Sequence, residues 1–210
     1  MSNWLNKISQ YKEMPLPVQP TDGGSKGSRI IDDNMTSDTA KREKTKYPNA
    51  TWLGSGVAGV AIECEPGIVC KYTTDEAEAR LAKMISRRKD PGVVDIYSVE
   101  LAQKSSVHNN KIWAIKAQKV VVLNSEESIV VNTLRNFIRQ SMTYPTIEQV
   151  KMVLTSHDPD FVKLMYDKYF DLILKLYKSK MIMNDAHAEN IGWDKGKNLV
   201  LFDLGLATPR

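Results

Sequence analysis

Met183-Asn184-Asp185-Ala186-His187-Ala188-Glu189-Asn190 and, shortly downstream, Leu201-Phe202-Asp203-Leu204-Gly205 decide how this chain is read. Asp185 and Asn190 are five apart, and Asn190 and Asp203 thirteen apart. Each acid follows a brief apolar stretch, Ile182–Met183 or Leu199–Phe202, that reads as a short strand running into a polar loop. A carboxylate, an amide oxygen and a second carboxylate in one cleft are the hard oxygen ligands that Mg²⁺ prefers beside a nucleotide. A separate carboxylate can accept the proton of an attacking hydroxyl. Polar loops are rich in Asp and Asn, so residue types alone say little. The spacing, and the apolar run before each acid, are what make the pair of loops specific.

Working upstream, the sequence turns helical. Asp158-Pro159 is an N-cap with proline at the first helical position, followed by a stripe of Phe161, Met165, Tyr169, Leu172, Ile173 and Leu176. Thr146–Leu154 reads as a shorter helix. Asn124 with Glu127 forms a capping box before Ile129, Val130, Leu134, Phe137 and Ile138, which share one face.

Upstream of Asn124 the texture is that of a sheet. Thr51–Leu53, Val60–Cys64 and Ile68–Tyr72 are rich in β-formers, and Glu65-Pro66-Gly67 reads as a hairpin turn. Thr74–Ile85 is a helix, capped by Thr74 or Asp75, with Ala77, Leu81, Met84 and Ile85 at helical spacing. Val93–Leu101 and Ile112–Leu123 are two further strands. The fold class is therefore α+β: a small antiparallel sheet with one helix at 51–123, then a short helical part at 124–210. Residues 1–14 suit a short helix. Residues 15–50 carry prolines, a Gly23-Gly24-Ser25-Lys26-Gly27-Ser28 run and many polar side chains, and 1–50 is read as a flexible arm that docks a partner.

Two features of the upstream half carry chemistry. Leu53-Gly54-Ser55-Gly56-Val57-Ala58-Gly59 lies between two strands, where bare backbone lets N–H groups approach phosphate oxygens. A strand rather than a helix follows, so this is not a dinucleotide fingerprint, and the Gly-Lys-Ser/Thr ending of a P-loop is missing. Lys71 ends the apolar strand Ile68-Val69-Cys70, and Glu78 follows seven residues on. An ion pair between them would hold the amine toward α- and β-phosphates, with Glu76 as the competing acid.

The net charge of +4, from 29 basic and 25 acidic side chains, is mild and does not argue for nucleic acid as a partner. Tyr47, Tyr72 and Trp52 beside Lys41–Lys46 could form a nucleic-acid surface, but a solvated charge run is the commoner explanation. The two cysteines, Cys64 and Cys70, are read as reduced thiols in a cytoplasmic protein. No stretch has the roughly 18 apolar residues of a membrane span, and Met1-Ser2-Asn3-Trp4-Leu5 does not open a signal peptide. No membrane partner is expected.

In order and rough spacing, the glycine loop at 54–59, Lys71, Glu78, the loop 185–190 and Asp203-Leu204-Gly205 resemble the protein-kinase-like superfamily over residues 51–207. The nearest likeness is to compact serine/threonine kinases encoded by bacteriophages. That resemblance implies a two-lobed fold with a truncated downstream lobe, ATP and Mg²⁺ as cofactors, a protein substrate (a host protein or the chain itself), and the host cytoplasm as its place. It implies that Gly54, Ser55, Gly56 and Gly59 cover the triphosphate, and that Ala61 and Val69 sandwich the adenine. Gln118–Val120 would form the hinge that hydrogen-bonds adenine. Lys71, braced by Glu78, would hold the α- and β-phosphates, Asp185 would orient or deprotonate the acceptor hydroxyl, and Asn190 and Asp203 would bind Mg²⁺.

The departures bear on the substrate. Met183-Asn184 replaces the His-Arg of regulated kinases. His187 stands where serine/threonine kinases carry a lysine reaching the γ-phosphate, and a neutral imidazole there stabilises transferring charge less. Leu204 replaces phenylalanine, and only seven residues follow Asp203 where a kinase continues with its peptide-positioning parts. A small-molecule phosphotransferase and a non-catalytic kinase-like binding protein are the alternative expectations.

Overall fold

The computed structural model describes residues 33–56, 59–104, 111–141, 143–182, 186–204 and 208–209. The expected helix at 1–14 lies outside them. The molecule is α+β. Its main sheet has five antiparallel strands in the order β1-β2-β3-β5-β4, from β1 (Thr51–Gly56), β2 (Gly59–Glu65), β3 (Ile68–Thr73), β4 (Ile96–Lys104) and β5 (Lys111–Gln118). Pro66 and Gly67 turn β2 into β3. Gly67 has φ 76°, a conformation that costs a residue without Cβ little.

Side-chain alternation gives this sheet two different faces. Val60, Ile62, Cys64, Cys70, Tyr72 and Ile112 form a small core on one face. Over them lies α1 (Asp33–Lys44), which buries Ala40 and whose Thr39 hydroxyl donates to Gln103 Oε1 at 3.1 Å. This corrects the sequence reading, which made all of 15–50 an extended arm. Apart from Met35 and Ala40 the helix is made of polar and charged residues, so its apolar stripe is too narrow to show as periodicity. Tyr72 is therefore buried and cannot present its ring to a nucleic acid.

Cys64 and Cys70 were expected to be separate thiols. The structure joins them as a disulfide across the β2–β3 hairpin, with Cα atoms 5.8 Å apart. Cys64 occupies the register shift between Glu63 and Glu65, which brings it diagonally beside Cys70 on the face under α1. Six positions of separation in sequence gave no hint of this, because only the bulge places both sulfurs on the same side.

The opposite face meets α2 (Glu76–Arg88) and the helical half in one continuous core. Leu81, Ala82, Ile85, Ile96 and Ile115 join Leu134, Met165, Phe170, Leu172 and Ile191 there. The helices are α3 (Ser125–Ser141), α4 (Ile147–Val153) and α5 (Pro159–Lys178). The caps at Asn124 and Asp158 follow the sequence signals, and the one at Thr146 emerges from the structure. Asn124 and Glu127 bond each other's backbone N–H at 2.9 and 2.8 Å, Thr146 and Gln149 form a second capping box, and Asp158 accepts from Asp160 and Phe161. Ile129, expected to face inward, is 47% exposed: the buried stripe of α3 runs through Val130, Val131, Leu134 and Ile138 instead. A small three-stranded sheet, β6 (Val121–Val122), β8 (Ile191–Trp193) and β9 (Leu199–Leu201), closes the helical half. The two-residue strands β7 (Met181–Ile182) and β10 (Thr208–Pro209) pair beside it.

Candidate active site

Lys71 is on the face of β3 that looks away from α1, in register with Ala61 on β2 and Ile115 on β5. Val69, two residues back, shares that face. Glu78 reaches the same place from the first turn of α2. Asp75 caps this helix by accepting from the N–H groups of Ala77 and Glu78, and the inward rotation of Ala79, Leu81, Ala82 and Ile85 buries Glu78 with them. The Lys71 ammonium then donates to Glu78 Oε1 at 2.5 Å and to Asp203 Oδ1 at 2.9 Å. Burial disfavours the ammonium, but the two carboxylates outweigh it and hold Lys71 protonated above its ordinary range. Burial pushes the Glu78 carboxyl up; Lys71 pulls it down, and the Asp203 charge adds to the rise. The rival acid is elsewhere: Glu76 pairs with Arg80 at 2.8 Å and Lys111 at 3.8 Å on the surface.

Asp203 owes its place to β9. Leu201 donates to Gly92 O and Val94 to Leu201 O, both at 2.9 Å, so the segment after α2 is stitched to the strand that carries Asp203. Buried Leu204 anchors the other side. Phe202 donates to the Asn190 carbonyl at 2.9 Å, which places the second loop directly beside the first. The loop around Asn190 has supports of its own. Tyr169 of α5 donates its hydroxyl to Ala186 O at 3.1 Å, and Asn132 of α3 accepts the Ala188 N–H at 3.2 Å. Ala188–Asn190 is a short 3₁₀ turn capped by His187, whose ring also contacts the Asn190 side chain. Neither Tyr169 nor Asn132 was picked out as a site residue. Tyr169 was read as core, and a lone asparagine on a helix carries no signal until the loop it holds is known.

Of the remaining expected residues, Gly54 and Ser55 lie in β1, and Gly56 pairs with Gly59 where β1 and β2 meet. Val57 and Ala58 lie outside the described residues. Gly59 has a local reason to be glycine, because a Cβ there would collide with the Tyr72 carbonyl oxygen. Gln118 gives its N–H to Asp95 O at 2.8 Å and Lys119 gives its N–H to Gly67 O at 2.9 Å. Val120 packs toward Gly192 of β8. Asp185, with its neighbours Met183 and Asn184, lies outside the described residues.

The arrangement thus brings together Lys71, Glu78 and Asp203, with Asn190 and His187 next to them. Asn190 is 8% exposed, and the Asp203 side chain is 39% exposed. An amide oxygen and a carboxylate suit Mg²⁺, which takes few protein oxygens and keeps waters and phosphate oxygens for the rest of its shell. Among the described residues there is no group of three or more His, Cys, Asp or Glu side chains that would form an all-protein metal cage. Nor does any described helix have the length and apolarity to cross a membrane. No protein-family model matches the chain, and no curated protein matches it either.

Proposed function

We propose that this chain is a compact protein-kinase-like enzyme that transfers the γ-phosphate of ATP, with Mg²⁺, to serine or threonine hydroxyls of a protein. The observation that carries this reading is the double ion pair of Lys71. Three residues from three separated motifs, one of them 132 positions away, meet at a single ammonium. Two further features support it. The antiparallel sheet has its one following helix, α2, on the site side, and Ala61 and Val69 line the same face as Lys71.

In this reading Ala61 and Val69 would cover one side of the adenine, and Gln118 and Val120 would meet its edge. Lys71, kept charged and aimed by Glu78, would bind the α- and β-phosphates. Asn190 and Asp203 would hold Mg²⁺, which supplies positive charge against the phosphate oxygens. Asp185 would orient the acceptor hydroxyl and take its proton as the oxygen attacks phosphorus and the bond to the departing ADP breaks. Asp203 would exchange its Lys71 contact for the metal.

The test is transfer from γ-labelled ATP to the protein itself and to a mixed protein extract, with and without Mg²⁺. Transfer is expected in the wild type and lost in Lys71→Ala and Asp185→Ala. Unchanged labelling in both variants rejects the assignment. Labelling of hydroxylated small molecules alone would favour a small-molecule phosphotransferase. Nucleotide-dependent thermal stabilisation without turnover would favour a binding protein.

A further inference from the structure

We propose that Cys64 and Cys70 form a redox site whose state governs the seating of α1: the closed disulfide lets the helix pack on the sheet, and reduction to two thiols releases it. The proposal stands apart from the active-site reading, because the pair lies on the face of the sheet opposite to Lys71.

The two sulfurs sit in the small core under α1, where Ala40, Ile62 and Ile112 are fully buried beside them. A disulfide takes less room than the two thiols it replaces, since the bond draws the sulfurs inside van der Waals contact and removes two hydrogens. Reduction therefore enlarges the contents of a close-packed core, and overpacking is destabilising. One wall has to give. β2 is hydrogen-bonded to β1 and β3, and β3 to β2 and β5, so both cysteine strands are held on two sides. α1 has no such ladder. It is held through buried Ala40 and Thr39 and the Thr39 bond to Gln103 at 3.1 Å, and a helix of 12 residues is marginal in water by itself. The helix is the wall that yields.

The reduced state has a local partner waiting. The Cys64 sulfur is 3.7 Å from the Ile68 carbonyl oxygen, which can accept a thiol hydrogen. The exchange balances with a dithiol as reductant. Its thiolate attacks one sulfur of the pair to form a mixed disulfide, and its second thiol then displaces the remaining protein sulfur. Two electrons and two protons pass to Cys64 and Cys70, and the dithiol leaves as its own disulfide. Cys64 is 4% and Cys70 1% exposed, so the reductant reaches them when α1 lifts. The seated helix thus shields the bond, and the bond keeps the helix seated.

The experiment is hydrogen–deuterium exchange, read by mass spectrometry, on the full chain after air oxidation and after dithiothreitol. Alkylation of each sample once unfolded fixes its thiol state. After reduction the amides of α1 should exchange about 5-fold faster or more, while those of β3 and β5 keep their rates. Cys64→Ala and Cys70→Ala each leave one thiol beside a smaller side chain, so α1 should stay protected in both, with dithiothreitol or without. Equal exchange of α1 in the oxidised and reduced wild type overturns the proposal. Faster exchange spread evenly through β2, β3 and β5 also overturns it, since the bond would then be a staple of the sheet. Loss of α1 protection in both alanine variants overturns crowding as the cause, and the proposal with it. Alkylation of both cysteines in the air-oxidised protein, which shows that the bond does not form, overturns it as well.

Discussion

Lys71 Nζ meets Glu78 Oε1 at 2.5 Å, and the two partners differ in burial: the lysine side chain is 21% exposed and the glutamate 1%. The glutamate therefore depends on the lysine more than the reverse. Removing the cation leaves a carboxyl that burial already pushes above its ordinary 4.5, without its main counter-charge. A folded-state pKa above the unfolded one means that folding is favoured while the group is protonated. The penalty begins as pH rises through the unfolded value and is complete above the folded one. Lys71→Met should thus lose stability progressively from mildly acidic to neutral pH, whereas the wild type stays flatter. Urea denaturation across that range checks this, and phosphate transfer in the same variant should be undetectable.

Tyr169 predicts the alkaline limb. Burial pushes its hydroxyl far above 10.0, with Tyr144 adding to the rise and Arg135 opposing it. The unfolded chain ionises first, so stability is unaffected below pH 10 and falls above it, by about 1.4 kcal/mol per pH unit for each such group. Tyr169→Phe should flatten that limb by one such increment. At neutral pH it should cost about 1 kcal/mol for the lost bond to Ala186. It should also reduce Mg²⁺-dependent activity, because Ala186 opens the loop that carries His187 and Asn190. Equal alkaline slopes in variant and wild type would contradict the assignment.

Gly59 separates scaffold from phosphate loop. A Cβ there meets the Tyr72 carbonyl and the Thr73 Cα of the neighbouring strand, neither of which can move without breaking the β2–β3 ladder. Gly59→Ala should destabilise by about 1–3 kcal/mol, the cost of overpacking, measured by thermal unfolding without nucleotide. A stable Gly59→Ala variant that has lost ATP binding would instead make this residue a direct part of the phosphate site.

These contrasts show where the sequence was legible. The capping signals at Asp75, Asn124 and Asp158 are local rules, and the helices they open begin where those rules placed them. Glu78 was separable from Glu76 because Ala79, Leu81 and Ile85 set the buried face of α2. The packing of α1 was not legible, since it depends on a sheet face that receives small side chains. Nor was the Cys64–Cys70 bond, which depends on a bulge, or the support given by Asn132 and Tyr169, which depends on two helices meeting one loop. Non-local register fixes all of these, and a single strand or helix does not encode it.

Arg88 shows how such non-local contacts reach the site. At the far end of α2 from Glu78, its guanidinium donates to Ser179 O at 2.8 Å and pairs with Asp90 at 3.0 Å. Asp90 is buried to 8% exposure, and its other oxygen has no hydrogen-bond partner among the described residues. The arginine therefore ties α2 to the end of α5 and neutralises an acid that has no other ion pair among the described residues. Arg88→Ala should cost about 1–3 kcal/mol, as expected when a buried acid loses a half-exposed, hydrogen-bonded cation. Because α2 also carries Glu78, the variant should lose part of its phosphate transfer even at temperatures where it remains folded. Arg88→Lys, which keeps the charge but not the forked geometry, should fall between the two. Arg80→Ala, on the same helix but paired only at the surface, should change neither stability nor activity measurably. If Arg80→Ala and Arg88→Ala behave alike, the tether between α2 and α5 has no part in holding Glu78 against Lys71.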